Sequence, residues 1–386
     1  MTRSVPGANW LRGWLYWMKE SEAPDSYLTW AGISALAGCT QRKVWVKWIY
    51  HDYYTNQYIW LVGPPGILHK SATIDMVRRF YREVGIPTTS EALSKEALID
   101  QMITRGDGTT SALTALPDEF SDFVRTSGPP MIEFLTSIYG CPDVWEYTTR
   151  LRGNELMTNA FLNMIAGATP AWIANEFDST FIDQGFASRV IFIHETDPRF
   201  RRAKVRITDD MYKMYKLLIE DLAHIATLQG EFQWKSEAVE DWFAEWYEKD
   251  ALDELKHADY RLRSYLARKP THMLKLSMVL QIASSDELVI TLGNIQEAKR
   301  LLDGLESSMA RTFSAVGRNL YANDLERIYV EIQENGGAMK VEEIIRRNYS
   351  AMPKMARDEV LQTLEAMGKL RRELRPDGRL WYVAIT

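Results

Sequence analysis

Gly63-Pro64-Pro65-Gly66-Ile67-Leu68-His69-Lys70-Ser71 is the stretch on which the fold turns. Ahead of it stands Tyr58-Ile59-Trp60-Leu61-Val62, short and almost wholly apolar, as a central strand buried on both faces would be. Behind it, Ser71 to Val84 carries a helical pattern. Strand, glycine-rich loop and helix in that order make a phosphate nest, in which backbone N–H groups around Gly63 and Gly66 and the helix N-terminus face the ligand's oxygens. Lys70 is placed to neutralise the β- and γ-phosphates of a nucleotide, and the Ser71 hydroxyl to ligate Mg²⁺. The usual spacing has one residue fewer between Gly66 and the lysine, and a glycine where this chain has His69. Histidine adopts positive φ less readily than glycine, although it is among the residues enriched there. A Pro/Gly turn that merely precedes a Lys-Ser helix start has the same look; the agreement of strand, loop and helix favours the phosphate loop.

A nucleotide hydrolase also needs one carboxylate for the Mg²⁺ shell and another to orient and deprotonate the attacking water. Asp118-Glu119 follows the apolar run Ala112 to Leu116, with Asp118 expected at the metal and Glu119 at the water. Pro117 is acceptable there only if strand pairing ends with it. A second apolar run, Phe161 to Ala168, ends at Thr169 before Pro170. Thr169 would then sit at the carboxyl edge of the sheet, where ligands of open α/β sheets collect, within reach of the γ-phosphate or the water. Arg189 precedes the edge-strand pattern Val190 to Ile193. Alone it reads as a surface cation; its place among these motifs makes it a candidate for stabilising transition-state charge across a subunit boundary.

The rest of the chain frames these motifs. Its 386 residues, 46% hydrophobic and 25% charged, suffice for two or three folding units. No apolar run is long enough to span a bilayer, and no signal peptide is visible, so no membrane partner is expected. Cys39 and Cys141 are far apart, which argues against structural zinc and for a reduced compartment. The net charge of −6 rules out nucleic-acid binding by bulk charge; any such contact needs local basic patches. Trp10, Trp14 and Trp17 recur at helical spacing, read as a packed helix face rather than a base-stacking platform. Four segments are expected: helices and a strand in 1–55, the phosphate-loop core in 56–204, a helical subdomain in 205–320, and a terminal unit in 321–386. In the last, three helices precede two strand-like runs around Pro376-Asp377-Gly378, the order of a winged helix. Its third helix starts with Lys354 and Arg357, and Arg371, Arg372, Arg375 and Arg379 crowd the wing, a charge density suited to phosphate contacts.

The order of motifs resembles the AAA+ ATPases, and Ala187 to Ile193 looks like the arginine-finger segment of MCM-type replicative helicases. The chain is more similar still to phage and prophage primase/helicase-like ATPases, through Leu61 to Gly66, His69-Lys70-Ser71, Gly167 to Trp172 and Gly185 to Arg189. The resemblance covers roughly residues 10 to 200 well and the remainder loosely. It implies an α/β fold with an AAA+-like P-loop NTPase core, a helical N-terminal segment, a helical lid and a C-terminal winged helix. It further implies ATP and Mg²⁺ as cofactors, a homohexameric ring with ATP between protomers, Arg189 acting in trans, Arg268 as the lid's phosphate sensor, and a phage-encoded protein in the host cytoplasm. The expected activity is that of a DNA helicase or translocase, with single-stranded DNA in the pore. A helicase loader or replication-initiation ATPase, and a transcription regulator reading duplex DNA, are the competing classes. Primase activity is not expected, since neither a zinc-binding cysteine cluster nor an acidic polymerase triad is visible.

Overall fold

The computed structural model describes residues 3–106, 108–149, 153–176, 185–258, 262–312, 322–348, 354–376 and 378–385. They belong to two compact units, Met1–Val316 and Gly317–Thr386.

The first unit opens with α1 (Trp10–Trp17) and α2 (Asp25–Cys39). Asn9 caps α1 by accepting the Arg12 N–H, satisfying one of the donors that a helix start leaves open. Trp10 and Trp14 stack at 5.5 Å and are fully buried, their indole N–H groups donating to Leu218 and Leu28 carbonyls. The tryptophan face is therefore core, as its spacing predicts. Nearly every residue of α2 is buried, so the helix is apolar all round and runs through the interior.

Next come β1 (Val44–Trp48), β2 (His51–Tyr54), β3 (Tyr58–Val62), α3 (Lys70–Val84), α4 (Lys95–Arg105), β4 (Ala112–Ala115), α5 (Phe120–Val124) and α6 (Pro129–Ile138). After them lie β5 (Val144–Thr149), β6 (Gly153–Thr158), β7 (Phe161–Ala168), α7 (Pro170–Glu176) and β8 (Val190–His194). Strands β4-β7-β3-β8 form, in that order, a four-stranded sheet in which every pairing is parallel. All five residues of β3 and all eight of β7 are buried, which is what two covered faces require of central strands. β8 is an edge strand, as expected. Pairing along β4 stops at Ala115, and Pro117 contributes only its carbonyl, which accepts the Gly167 N–H at 3.2 Å. The proline thus falls where no ladder donor is needed. The β5–β6 hairpin was not foreseen from the sequence.

The unit closes with α8 (Asp209–Ile225), β9 (Gly230–Trp234), α9 (Glu237–Glu245), a π-helical turn (Trp246–Asp250), α10 (Ala251–His257), α11 (Arg263–Ile282), β10 (Val289–Ile290) and α12 (Leu292–Thr312). A second sheet, β10-β9-β1-β2, joins the beginning of the chain to this helical part, with β1 and β9 parallel. One hydrophobic core runs from Val5 to Met309. The boundaries expected at 55 and 204 consequently do not separate compact units, because the strand pairing of Val44–Val46 with Gly230–Phe232 crosses both. Among the described residues no helix is long and apolar enough to cross a membrane.

The second unit contains α13 (Ala322–Glu334), β11 (Ala338–Lys340), α14 (Val341–Asn348), α15 (Lys354–Ala366), β12 (Leu370–Leu374) and β13 (Leu380–Ala384). Its sheet, β11-β13-β12, is antiparallel, and its core includes Ile328, Ile344, Leu361 and Tyr382. Three helices and a hairpin follow one another as expected, with the short β11 added.

Candidate functional site

The loop between β3 and α3 leaves the sheet at the carboxyl ends of its strands. Gly63 is in close contact on all sides: a side chain there would strike Leu68, the Glu195 carbonyl and the Tyr27 hydroxyl. The residue that lengthens the loop is absorbed by Leu68, which turns inward and is buried against Gly63. His69 then takes the left-handed conformation, φ 54° and ψ 35°, at the position where glycine is usual. Its ring Nε2 lies 3.3 Å from Glu22 Oε2. Lys70 is the first residue of α3 and is buried, its ammonium donating to the Gly63 carbonyl at 2.7 Å and the Ala168 carbonyl at 2.8 Å. That ammonium ties the loop to the end of β7. Burial pulls the Lys70 pKa down from its ordinary value, and the nearby Glu119 carboxylate opposes the shift. Ser71 is exposed at the second position of the helix, and Gly66 has φ +81° in the turn before it.

The two acids part company. Glu119 has extended backbone, so Asp118 and Glu119 point to opposite sides of the chain. The Asp118 carboxylate is held by Arg78 at 3.0 Å, and the same guanidinium binds Asp75 at 2.6 Å and the Leu116 carbonyl at 2.8 Å. Arg78 lies two turns along α3, about 12 Å beyond Lys70. In this structure the Asp118 carboxylate is thus engaged by Arg78, while its backbone carbonyl packs against Gly167 near the end of β7. Glu119 is instead the acid beside Lys70: burial raises its pKa, while the Lys70 charge and the Thr169 N–H lower it. Thr169 follows β7 at the same edge, but its hydroxyl accepts the Trp172 N–H at 3.3 Å and so caps α7. Thr169 therefore meets Glu119 through its backbone.

Arg189 sits at the other end of the sheet. Val190 pairs with Tyr58, at the start of β3, whereas Gly63 follows Val62 at its finish. Five residues of strand separate them, roughly 16 Å. The Arg189 guanidinium is fastened there, donating to the Gly185 carbonyl at 2.5 Å with its carbon 5.9 Å from the Tyr139 ring centroid. Arg268 joins it from α11, with Nε donating to Ser188 Oγ at 3.2 Å and its carbon also 5.9 Å from the Tyr139 ring. Both arginines line a cavity of about 530 Å³ with Tyr139, Glu133, Thr136 and Ser137. Desolvation, and then Arg268, lower the Arg189 pKa. The Arg189 Nε is buried without a hydrogen-bond partner among the described residues, so one donor of this pair has no protein acceptor. Arg268 thus stands beside Arg189, not beside Lys70 as a sensor within the same chain would.

Beneath the two arginines lies a buried layer that sequence reasoning missed. Lys275 Nζ is 4.1 Å from the Tyr139 ring centroid and donates to Asn56 Oδ1 at 2.6 Å; burial brings its pKa down to about 8. His272 Nε2 is 3.0 Å from the Ser188 carbonyl, and its Nδ1 is 3.3 Å from the Tyr139 hydroxyl. A carbonyl only accepts, so the proton is on Nε2, and Nδ1 accepts from the tyrosine. Burial pushes the His272 pKa down to about 3, keeping the ring neutral. The available signal was Lys269, His272 and Lys275 at helical spacing in an otherwise apolar stretch. Lys269 answers to Glu254, Asp303 and Glu306 at 2.5 to 2.7 Å and is a buried ion-pair network.

In the second unit, Arg357 is buried with Val360, Leu361 and Leu364, which share its inward stripe at helical spacing. It does not present itself to a phosphate, and the expectation for it is corrected. The Lys354 side chain and Asp377 lie outside the described residues. Arg371 and Arg379 are exposed on the wing. Arg372, also exposed, donates to the Tyr382 hydroxyl at 2.8 Å and pairs with Glu365 at 3.2 Å, while Arg375 packs 4.1 Å over the Trp381 ring. Set against protein-family models and against curated protein sequences, the chain matches none.

Proposed function

We propose that this chain is an ATP-hydrolysing motor acting on nucleic acid, built on an AAA+-like core whose active sites are completed between copies. The observation that carries the reading is the division of one catalytic set between two ends of one sheet. Lys70, Glu119 and the Gly63–Ser71 loop gather at the carboxyl edge, and Arg189 with Arg268 gathers about 16 Å away at the amino edge. The strand order β4-β7-β3-β8 agrees, since it places the acid-bearing strand and the Thr169 strand on one side of the phosphate-loop strand.

In this reading the loop's N–H groups and Lys70 bind the terminal phosphates, for which Lys70 exchanges two carbonyl acceptors for phosphate oxygens. Ser71 is the group that would hold a magnesium shell; Asp118 would join it only after release from Arg78. The ion would supply charge neutralisation on the phosphates. Glu119, its pKa raised by burial, orients the attacking water and accepts its proton. Arg189 and Arg268 stabilise the charge that develops on the nucleotide of the neighbouring copy, from the cavity that both line. The terminal unit, as a winged helix, contributes phosphate contacts through Arg371, Arg372, Arg375 and Arg379.

The test is ATP turnover with and without single-stranded DNA. A motor gives turnover that DNA stimulates, and Lys70→Ala lowers it at least about 100-fold. Turnover indifferent to DNA but responsive to a partner helicase points to a loader, and unchanged turnover in Lys70→Ala removes the site assignment.

A further inference from the structure

The segment that leaves β8 is basic and stays close to the phosphate loop. Residues 199–206 contain Arg199, Arg201, Arg202, Lys204 and Arg206 and no acid. The chain enters it at the loop end of the sheet, where the Glu195 N–H donates to the Val62 carbonyl at 3.0 Å. Glu22 then fastens it: the Arg202 N–H donates to Glu22 Oε1 at 2.7 Å, and Glu22 Oε2 is the group that meets His69. Arg199 also pairs with Asp25 at 3.0 Å. Beyond these anchors residues 201–208 are all exposed. Val205 and Ile207 are 51% and 62% exposed, and Lys204 and Arg206 have no ion pair among the described residues. Cations alternating with bare aliphatic side chains do not serve the stability of one copy.

The opposite composition packs against the start of α11, the helix that carries Arg268. Residues 237–253, spanning α9, the π-helical turn and the start of α10, hold seven acids against one base, Lys249, a net of −6 that equals the charge of the whole chain. The next residue, Glu254, pairs with Lys269 at 2.7 Å, and Lys269 adjoins Arg268. This acidic surface is not uniformly polar. Tyr247, Leu252, Leu255, Leu266 and Pro270 line an open groove of about 390 Å³, rimmed by Glu248.

We infer that residues 199–207 of one copy dock against the acidic helical segment 237–253 on the next copy, with Val205 and Ile207 against its apolar groove. The inference rests on the reading that Arg189 and Arg268 face a neighbour's phosphate loop. Head-to-tail contact that brings those half-sites together carries the two flanks with it, because Glu22 links the basic segment to His69, and the acidic one shares its groove with Leu266 and Ala267 on α11, next to Arg268 in sequence. Charge and apolar surface then match on both sides. Nucleic acid suits the basic segment but is repelled by the acidic one, whereas a second copy satisfies both.

The experiment uses Lys204→Glu/Arg206→Glu, Asp241→Lys/Glu248→Lys, and a chain carrying all four changes. Each is followed by sedimentation velocity with Mg-ATP and by ATP titration. Either pair should raise the concentration at which the chain assembles at least about tenfold, and the four together should restore it, since every contact is then reversed in sign. ATP affinity of the unassembled chain should stay unchanged throughout. Assembly at the original concentration by the basic-segment variant, with loss of DNA affinity, would overturn the contact and assign the segment to nucleic acid. Failure of the four-fold variant to recover would overturn it as well. A native chain that binds ATP yet never assembles would instead bring down the shared-site reading, a distinguishable result.

Discussion

His69 concentrates the cost of the Gly63–Ser71 loop in one residue. Its left-handed backbone is uncommon for a side chain with a Cβ, yet histidine tolerates it better than β-branched residues do. The ring's approach to Glu22 is half exposed and offsets little of the strain. His69→Gly should therefore raise stability by about 0.5–1 kcal/mol, and His69→Val should lower it by about 1–2 kcal/mol. Denaturant midpoints compared at equal slope will check this; a stabilising valine would mean that the loop does not hold this conformation in solution. Lys70 makes the complementary point about sequence. Its role could be proposed from spacing alone, but its parking on the Gly63 and Ala168 carbonyls depends on where β7 ends, which local sequence does not specify.

At the scale of elements, α11 carries the arginine cavity. His272 fixes the Ser188 carbonyl and the Tyr139 hydroxyl, and so the floor on which Arg189 and Arg268 rest. The ring is neutral in the folded chain, with a pKa of about 3 against an ordinary 6.5. The unfolded chain takes up this proton first, so stability is full above pH 6.5 and is lost as pH falls toward 3, on the order of 5 kcal/mol in all. His272→Gln keeps a donor for Ser188 without the titration. The stability difference between native protein and variant should be constant above pH 6.5 and should shift in the variant's favour below it. Parallel curves down to about pH 4 would deny that the ring is buried and neutral.

The elements themselves were legible where periodicity was strong: β3, β7, β8, α3 and the terminal hairpin all fall where apolar runs and turn residues put them. What escaped was non-local. The pairing of β1 with β9 spans most of the unit, and the meeting of Arg189 with Arg268 depends on α11 packing beside Ser188. The separation of Asp118 from Glu119 follows from strand alternation, but the presence of Arg78 as the partner does not. Arg357 looked like a surface cation because one inward position of a helix stripe happens to be basic.

At the scale of the molecule, the proposed reading gives the first unit two half-sites, the Lys70 and Arg189 clusters, at opposite ends of one parallel sheet. In that reading a heterologous contact repeated around a closed ring completes every site, since each loop then meets a neighbour's arginines. A solitary copy has no such closure. That logic predicts complementation between two inactive proteins. Lys70→Ala and Arg189→Ala should each hydrolyse ATP at a small fraction of the native rate when pure. Mixed in equal amounts under assembling conditions, they should recover activity, because about a quarter of randomly formed contacts join an intact Lys70 to an intact Arg189. Native turnover by pure Arg189→Ala, or a mixture no more active than its parents, would contradict the division of the site between copies.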